Sequence, residues 1–428
     1  MRRPSSHRVN ASSPSRRARS GFTLIELLTV IVIIGMLAAL VTVAASKAIT
    51  TARNTQITTE IGLLDSALQT YKNDAAGAYP PDCTLLSTPA NGTPQTQDYT
   101  NRQNRILAHL RKAFPRLIVS AGYGAASGPS AGTLQYMSQK AFSQSTLYGA
   151  AGSVSTVFGG TTPGGFTWGD FNNMDPAEAL VFWVGGFAVP YVDQTGKWSF
   201  KMIGFAANKV GNASSSGPNA SGPNAGFGPF NLDVTSRDVG PFEFQQARLG
   251  DADGDGWPEY YPPNSVVPQP PLSAYATANA SPPYVYFDAV SYGSQTTVAL
   301  DANNMPVYAA SAVYPTSSGS GAQPAAFAAT PGTTLAGQWG LALPYAATVV
   351  LNNTNPATVT WANPQKFQII CAGQDLQYWF DPSAMNPSAT HVLFNNWLRT
   401  YPIGTNYSQA DFDNLTNFTS STLQSAQP

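Results

Sequence analysis

The sequence has little of what most catalytic sites need. It holds three histidines, and only His109 and His391 lie beyond the first 21 residues. Neither stands near a serine, cysteine or aspartate in a nucleophilic arrangement, so both read as surface or packing residues. The two cysteines, Cys83 and Cys371, have no partner at short zinc-ligand spacing. The glycine pairs Gly159-Gly160 and Gly164-Gly165 lack a strand–loop–helix phosphate signature. Charge is also scarce, at 11% of residues, and it is unevenly placed. Arg2, Arg3, Arg8, Arg16, Arg17 and Arg19 fall within the first 20 residues, with no acid among them. Beyond that segment 16 basic residues face 23 acidic ones, a net of −7, which excludes a clustered positive surface for nucleic acid.

What the chain does have is one long apolar run. From Phe22 to Ala45 there are about 24 residues, enough to cross a bilayer as a tilted helix. Glu26 is the single ionisable residue in it. A carboxylate inside a membrane segment costs roughly 2.5–3.5 kcal/mol unless something compensates it. A secretory signal would place a small-residue cleavage site after the apolar run, whereas here the break between basic and apolar sequence comes before it.

Gly21-Phe22-Thr23-Leu24-Ile25-Glu26 behind a basic leader resembles the processing site of type IV pilins and type II secretion pseudopilins. The resemblance implies that a prepilin peptidase cuts after Gly21 and methylates the new amino terminus, Phe22, and that the helix is kept as anchor and assembly element. Cleavage creates an ammonium on Phe22, for which Glu26 of a neighbouring subunit is a natural counter-charge. The implied partners are copies of the chain, other pilins or pseudopilins, the prepilin peptidase, an inner-membrane assembly platform and membrane lipid. The implied location is the inner membrane, crossed once, with the C-terminal domain in the periplasm or at the cell surface. The implied fold class is α+β: a long N-terminal helix on an antiparallel sheet.

Past the apolar run, residues 46–73 continue the helix. Ile49, Ile57, Ile61, Leu64, Leu68 and Tyr71 recur mostly at three and four, with Arg53, Gln56, Glu60 and Lys72 between them. That spacing predicts one amphipathic stripe and a helix about 75 Å long from Phe22 to Asn73. Gly77-Ala78-Tyr79-Pro80-Pro81 stops it and is similar to the turn of the major pseudopilin. Asn101–Phe114 reads as a short helix within a segment 74–119 that opens the soluble domain. Asp175, Pro176 and Glu178 predict a capped helix that ends at Gly185-Gly186. Strands are expected at Trp198–Phe205, Tyr284–Val290 and Ala346–Leu351, and loops at Gly211–Gly228 and Ser317–Thr334. Residues 120–360 exceed what a plain pseudopilin requires and read as an insertion or elaboration. Residues 361–428 recover a family-like end.

Two acidic motifs suggest calcium. In Gly250-Asp-Ala-Asp-Gly-Asp-Gly-Trp-Pro-Glu259, the carboxylates of Asp251, Asp253, Asp255 and Glu259 surround a glycine bend, the donor set that a hard cation takes. The twelfth position from Asp251 is Pro262 rather than glutamate, so the loop is not an EF-hand. The likeness to major pseudopilins further implies a calcium loop with Asp375, Asp411 and Asp413, although Tyr378–Gln409 is a longer insert than that loop contains. Cys83 and Cys371 would stand outside the cytoplasm, either bridged or as separate buried thiols. The functional expectation is a non-enzymatic filament subunit. The alternative is a minor pilin or surface adhesin whose large insertion binds a ligand.

Overall fold

The computed structural model describes residues 23–75, 77–83, 96–114, 117–118, 174–192, 198–207, 211–212, 237–238, 240–251, 256–268, 281–293, 299–300, 306–307, 342, 344–350, 358–378, 399–404 and 407–427. Two compact units are present, 1–52 and 53–428. Helix α1, Leu24–Asp74, belongs to both.

In the first unit every position from Leu24 to Thr50 is exposed. This stretch is long and apolar enough to cross a membrane by length and composition. Ile49, placed on the buried stripe by its spacing, is 70% exposed and does not join it.

In the second unit the stripe forms as spaced. Ile57, Ile61, Leu64, Ala67, Leu68 and Tyr71 are buried. Full burial of a branched aliphatic side chain contributes about 1.5–3 kcal/mol. Leu64→Ala, at a site with no exposure, would therefore cost about 2–5 kcal/mol. The helix ends where the Gly-Ala-Tyr-Pro-Pro turn predicts. Gly77 takes φ +81° and its N–H reaches the Lys72 carbonyl at 2.8 Å, a left-handed stop that glycine makes without strain.

Two three-stranded antiparallel sheets cover the stripe and its neighbours. In the first, Phe367–Cys371 lies between Val285–Asp288 and Leu415–Thr416. In the second, Trp198–Ala206 lies between Phe187–Val192 and Arg237–Asp238. The stripe of α1 shares one core with Tyr284, Tyr286, Phe367, Ile369 and Cys371 around the first sheet, and with Ala188 and Phe200 of the second.

Helix α2 covers Thr96–Ala113, starting earlier than the expected Asn101. Its Ile106, Leu107 and Leu110 pack in a second core with Tyr71 and Trp183. Helix α3 covers Pro176–Gly185 and carries the expected capping box. Asp175 Oδ1 accepts from the N–H groups of Ala177 and Glu178 at 2.7 and 3.0 Å, and Glu178 Oε2 accepts from the Asp175 N–H at 2.7 Å. Every residue of α3 is buried.

These positions bear on residues 120–360, expected as an insertion or elaboration of the domain. Leu180, Val181 and Val184 of α3 pack in the same core as the α1 stripe, and Val285–Asp288 is hydrogen-bonded to Phe367–Cys371. The described parts of the segment are thus built into the domain. The expected strands are found as Trp198–Ala206, Val285–Asp288 and Ala346–Val350. The second of these is shorter than expected, because the chain turns into a short helix at Ala289–Gly293. Most of the expected loop Gly211–Gly228 and all of Ser317–Thr334 lie outside the described residues.

Candidate functional site

The candidate site begins at the head of α1. The Thr23 hydroxyl accepts from the Glu26 N–H at 3.3 Å. In return Glu26 Oε2 accepts from the Thr23 N–H at 2.9 Å and from the Thr23 hydroxyl at 2.8 Å. This is a reciprocal capping box, which satisfies helix donors that have no intrahelical partner. The Thr-x-x-Glu spacing that announces it was present in the sequence but overshadowed by the expected intersubunit role of Glu26. Both Thr23 donors use Oε2, and among the described residues no donor reaches Oε1. Gly21 and Phe22, the expected cleavage and methylation positions, lie outside the described residues.

Further along, Glu60 binds α1 to the soluble domain. Its spacing on the helix suggested a solvated position, yet it is 9% exposed. Arg248 Nη1 and Nη2 donate to its two oxygens at 2.7 and 2.5 Å. Tyr260 and Tyr284 donate their hydroxyls at 2.8 and 2.6 Å. The Arg248 guanidinium lies 4.4 Å over the Tyr260 ring, adding a cation–π contact. Two further ties reach α1 from the C-terminal part: Asn417 Nδ2 donates to Asp65 Oδ1 at 3.1 Å, and Gln374 Nε2 to Asn54 Oδ1 at 3.0 Å. The turn after α1 is locked as well. Tyr286 donates its hydroxyl to the Pro80 carbonyl at 2.7 Å, and Arg105 pairs with Asp288 at 2.7 Å. Asp82 and Asp288 each accept the other's backbone N–H, at 3.1 and 2.8 Å.

Comparison with known proteins bears on the first of these features. Residues 16–42 match the family model described as the prokaryotic N-terminal methylation motif. The match spans Gly21, Phe22, Glu26 and most of the apolar run. The N-terminal segment thus carries the methylation motif, which supports the resemblance to type IV pilins and pseudopilins read from Gly21–Glu26. No curated protein and no solved structure matches the chain. The resemblance to the major pseudopilin at Gly77–Pro81 and Phe367–Asp375 rests on those residues alone.

The acidic motifs divide. Asp251 and Glu259 flank a hairpin in which Gly250 pairs with Glu259, and both carboxylates are fully buried. Asp251 Oδ2 accepts from the Gly256 N–H at 3.1 Å, closing the loop across the motif. Tyr261 donates its hydroxyl to Glu259 at 3.4 Å. Asp253 and Asp255 lie outside the described residues.

In the C-terminal motif Asp411 is committed elsewhere. Its Oδ1 takes Arg399 and the Tyr345 hydroxyl, the latter at 2.7 Å, and its Oδ2 takes the Ser408 N–H and hydroxyl at 2.8 and 2.9 Å. A fully buried carboxylate paired with a guanidinium holds the C-terminal loop and is not offered to a cation. Asp413 and Asp375 do meet. Asp413 Oδ2 accepts the backbone N–H groups of Gln374 and Asp375 at 2.5 and 3.1 Å, while burial, and then the Asp413 charge, push the Asp375 carboxyl up to about 6. Among the described residues no group of three or more His, Cys, Asp and Glu side chains is placed to hold a metal ion.

The cysteines are two separate thiols, so the bridged alternative is set aside. Cys83 packs with Met174, sulfur to sulfur at 3.6 Å, whereas Cys371 lies in the core under α1. His109 is a packing residue, with Nε2 2.9 Å from the Tyr71 hydroxyl and its ring against Trp183. Burial drives its pKa down to about 4. His391 lies outside the described residues.

Proposed function

We propose that this protein is a subunit of a type II secretion pseudopilus or a related type IV pilus-like filament. The observation that carries the reading is the methylation motif at the head of a 51-residue helix whose first half is apolar and wholly exposed. An apolar helix in a bilayer can exchange lipid for neighbouring helices at little cost, since both surroundings are hydrocarbon. Leader removal after Gly21 places an ammonium on Phe22 in an apolar setting. Glu26 of an adjacent subunit then neutralises that charge, using the oxygen that its own capping box leaves open. The chain is held in the inner membrane before assembly, with its soluble domain on the periplasmic side.

The decisive experiment is mass spectrometry of the mature protein. A chain that begins at N-methylated Phe22 and appears in sheared filaments supports the reading. An intact leader, or a cut after Ala45, overturns it.

Calcium at the hairpin is a separate element of the proposal, with Asp251, Asp253, Asp255 and Glu259 as side-chain ligands. Its support is the sequence pattern, in which Asp251, Asp253, Asp255 and Glu259 surround a glycine bend, the donor set that a hard cation takes.

A further inference from the structure

Helix α2 meets the rest of the second unit through a face that carries Arg105, Ile106, His109 and Leu110, while Asn104, Ala108, Arg111 and Lys112 are exposed. Ile106 and Leu110 are the apolar part of that face and pack in one core with Tyr71 and Trp183. Arg105 and His109 are its polar part, one helical turn apart. Arg105 pairs at 2.7 Å with Asp288, the last residue of a strand of the first sheet. His109 stands where three helices come together. Its Nε2 is 2.9 Å from the hydroxyl of Tyr71 on α1, and its ring lies within 17° of parallel to the Tyr71 ring. It meets Trp183 of α3 edge-on, with ring centroids 5.0 Å apart.

This junction suits imidazole only as a neutral ring. His109 is 6% exposed, so a charge on it would be drawn out of water. Its surroundings do little to offset that charge. From α1 comes the Tyr71 hydroxyl, which burial keeps protonated by pushing its pKa far above the usual phenol range. From α3 comes Trp183, which has no ionisable group, and Cys83 in the same core is a buried thiol. From the first sheet comes Asp288, whose charge favours an imidazolium. That carboxylate is already committed. Its Oδ2 accepts from Arg105 at 2.7 Å and from the Asp82 N–H at 2.8 Å, and its Oδ1 accepts from the Val290 N–H at 2.7 Å. On α2 itself, Lys112 adds a like charge. Burial is the largest of these effects and brings the His109 imidazole down to about 4.

We infer that α2 is an acid-released element: protonation of His109 detaches it from Tyr71 and Trp183 while the rest of the domain stays folded. The change is local because α2 belongs to no sheet, and the core formed by Ile57–Leu68 with the two sheets contains no residue of α2. An element held by one side-chain face opens before the core does. Release turns Ile106 and Leu110 to water and uncovers Trp183, so an apolar surface covered at neutral pH becomes available in acid. The inference is independent of the filament reading.

Hydrogen exchange of the full-length chain, corrected for the intrinsic rate at each pH, tests this. A docked pKa of about 4, against about 6.5 for a released histidine, raises the released fraction of α2 about 100-fold between pH 7 and pH 4. Peptides from α2 should lose protection by about that factor, whereas Ile57–Leu68 and Phe367–Cys371 keep theirs. His109→Gln keeps a hydrogen bond to Tyr71 without titrating, and His109→Phe keeps the ring packing. Both should hold the change in α2 below about threefold. Unchanged protection of wild-type α2, equal loss in all three segments, or a full pH response in both variants overturns the assignment.

Discussion

Glu60→Gln is the sharpest probe of how α1 is held to the soluble domain. The carboxylate accepts four donors, two from Arg248 and one each from Tyr260 and Tyr284, at 2.5 to 2.8 Å. Glutamine keeps the shape but turns one oxygen into an NH₂, which meets a donor with a donor. It also leaves the guanidinium of Arg248 without its counter-charge at 12% side-chain exposure. Removing one partner of a buried pair costs about 3–5 kcal/mol, and the residual solvent access here lowers that to about 2–4 kcal/mol. Tyr260→Phe and Tyr284→Phe, which each remove a single bond to a charged acceptor, are expected to cost about 1–2 kcal/mol. Urea unfolding followed by tryptophan fluorescence reads this directly, since Trp183 and Trp257 are 1% and 2% exposed in the adjoining core. The double variant Glu60→Leu with Arg248→Met removes both charges together. It should recover at least about 1.5 kcal/mol relative to the sum of the single losses. A Glu60→Gln loss below about 1 kcal/mol, or additive single and double variants, would refute the claim that this node carries the docking.

Three further outcomes are expected. At the head of α1, Glu26→Gln preserves a capping box but not the charge, so it should block filament formation while the helix stays intact; Thr23→Val removes the cap and keeps the charge. Normal filaments from Glu26→Gln would reduce Glu26 to a helix cap. His109 has its pKa depressed from 6.5 to about 4, so the stability it contributes as a neutral ring is complete above about pH 6.5 and is lost as pH falls toward 4. The full loss is about 3 kcal/mol, and His109→Phe should flatten it in pH-dependent melting curves. Asp375, raised from 3.8 to about 6, works in the opposite sense over that window, gaining stability as pH falls, so the His109 term must be read as a difference between variants. Finally, calcium should raise the melting temperature of the wild-type chain, and Asp251→Asn with Glu259→Gln should remove the rise. Identical melting in calcium and in chelator would count against a site at the hairpin.

The parts of the fold that could be read from the sequence are those written in local spacing. The stripe Ile57, Ile61, Leu64, Leu68 and Tyr71 and the capping box at Asp175 appear where periodicity and capping chemistry put them. Glu60 could not be read in this way. A glutamate between apolar positions has the appearance of a solvated helix face, and its partners Arg248, Tyr260 and Tyr284 lie 188, 200 and 224 residues away. Asp411 misled for a related reason. Its neighbours in sequence suggest a cation loop, whereas its actual counter-ion, Arg399, lies 12 residues earlier. At the N-terminus the motif was legible because its chemistry is contiguous. The pairing of Val285–Asp288 with Phe367–Cys371 was not, because strand pairing such as Phe367 with Asp288 carries no local signature.

The distance in sequence between α1 and its partners also fixes an order of events. A chain made from its amino terminus presents the stripe at residues 57–71 long before Phe367, Ile369 and Leu415 exist to cover it. Asp65 is joined to Asn417, 352 positions later. Contacts of such separation form late and slowly. The stripe of α1 is therefore covered only when strands far along the chain have folded back onto it, and the pairing of Leu415–Thr416 with Phe367–Cys371 is a late fastening of the helix.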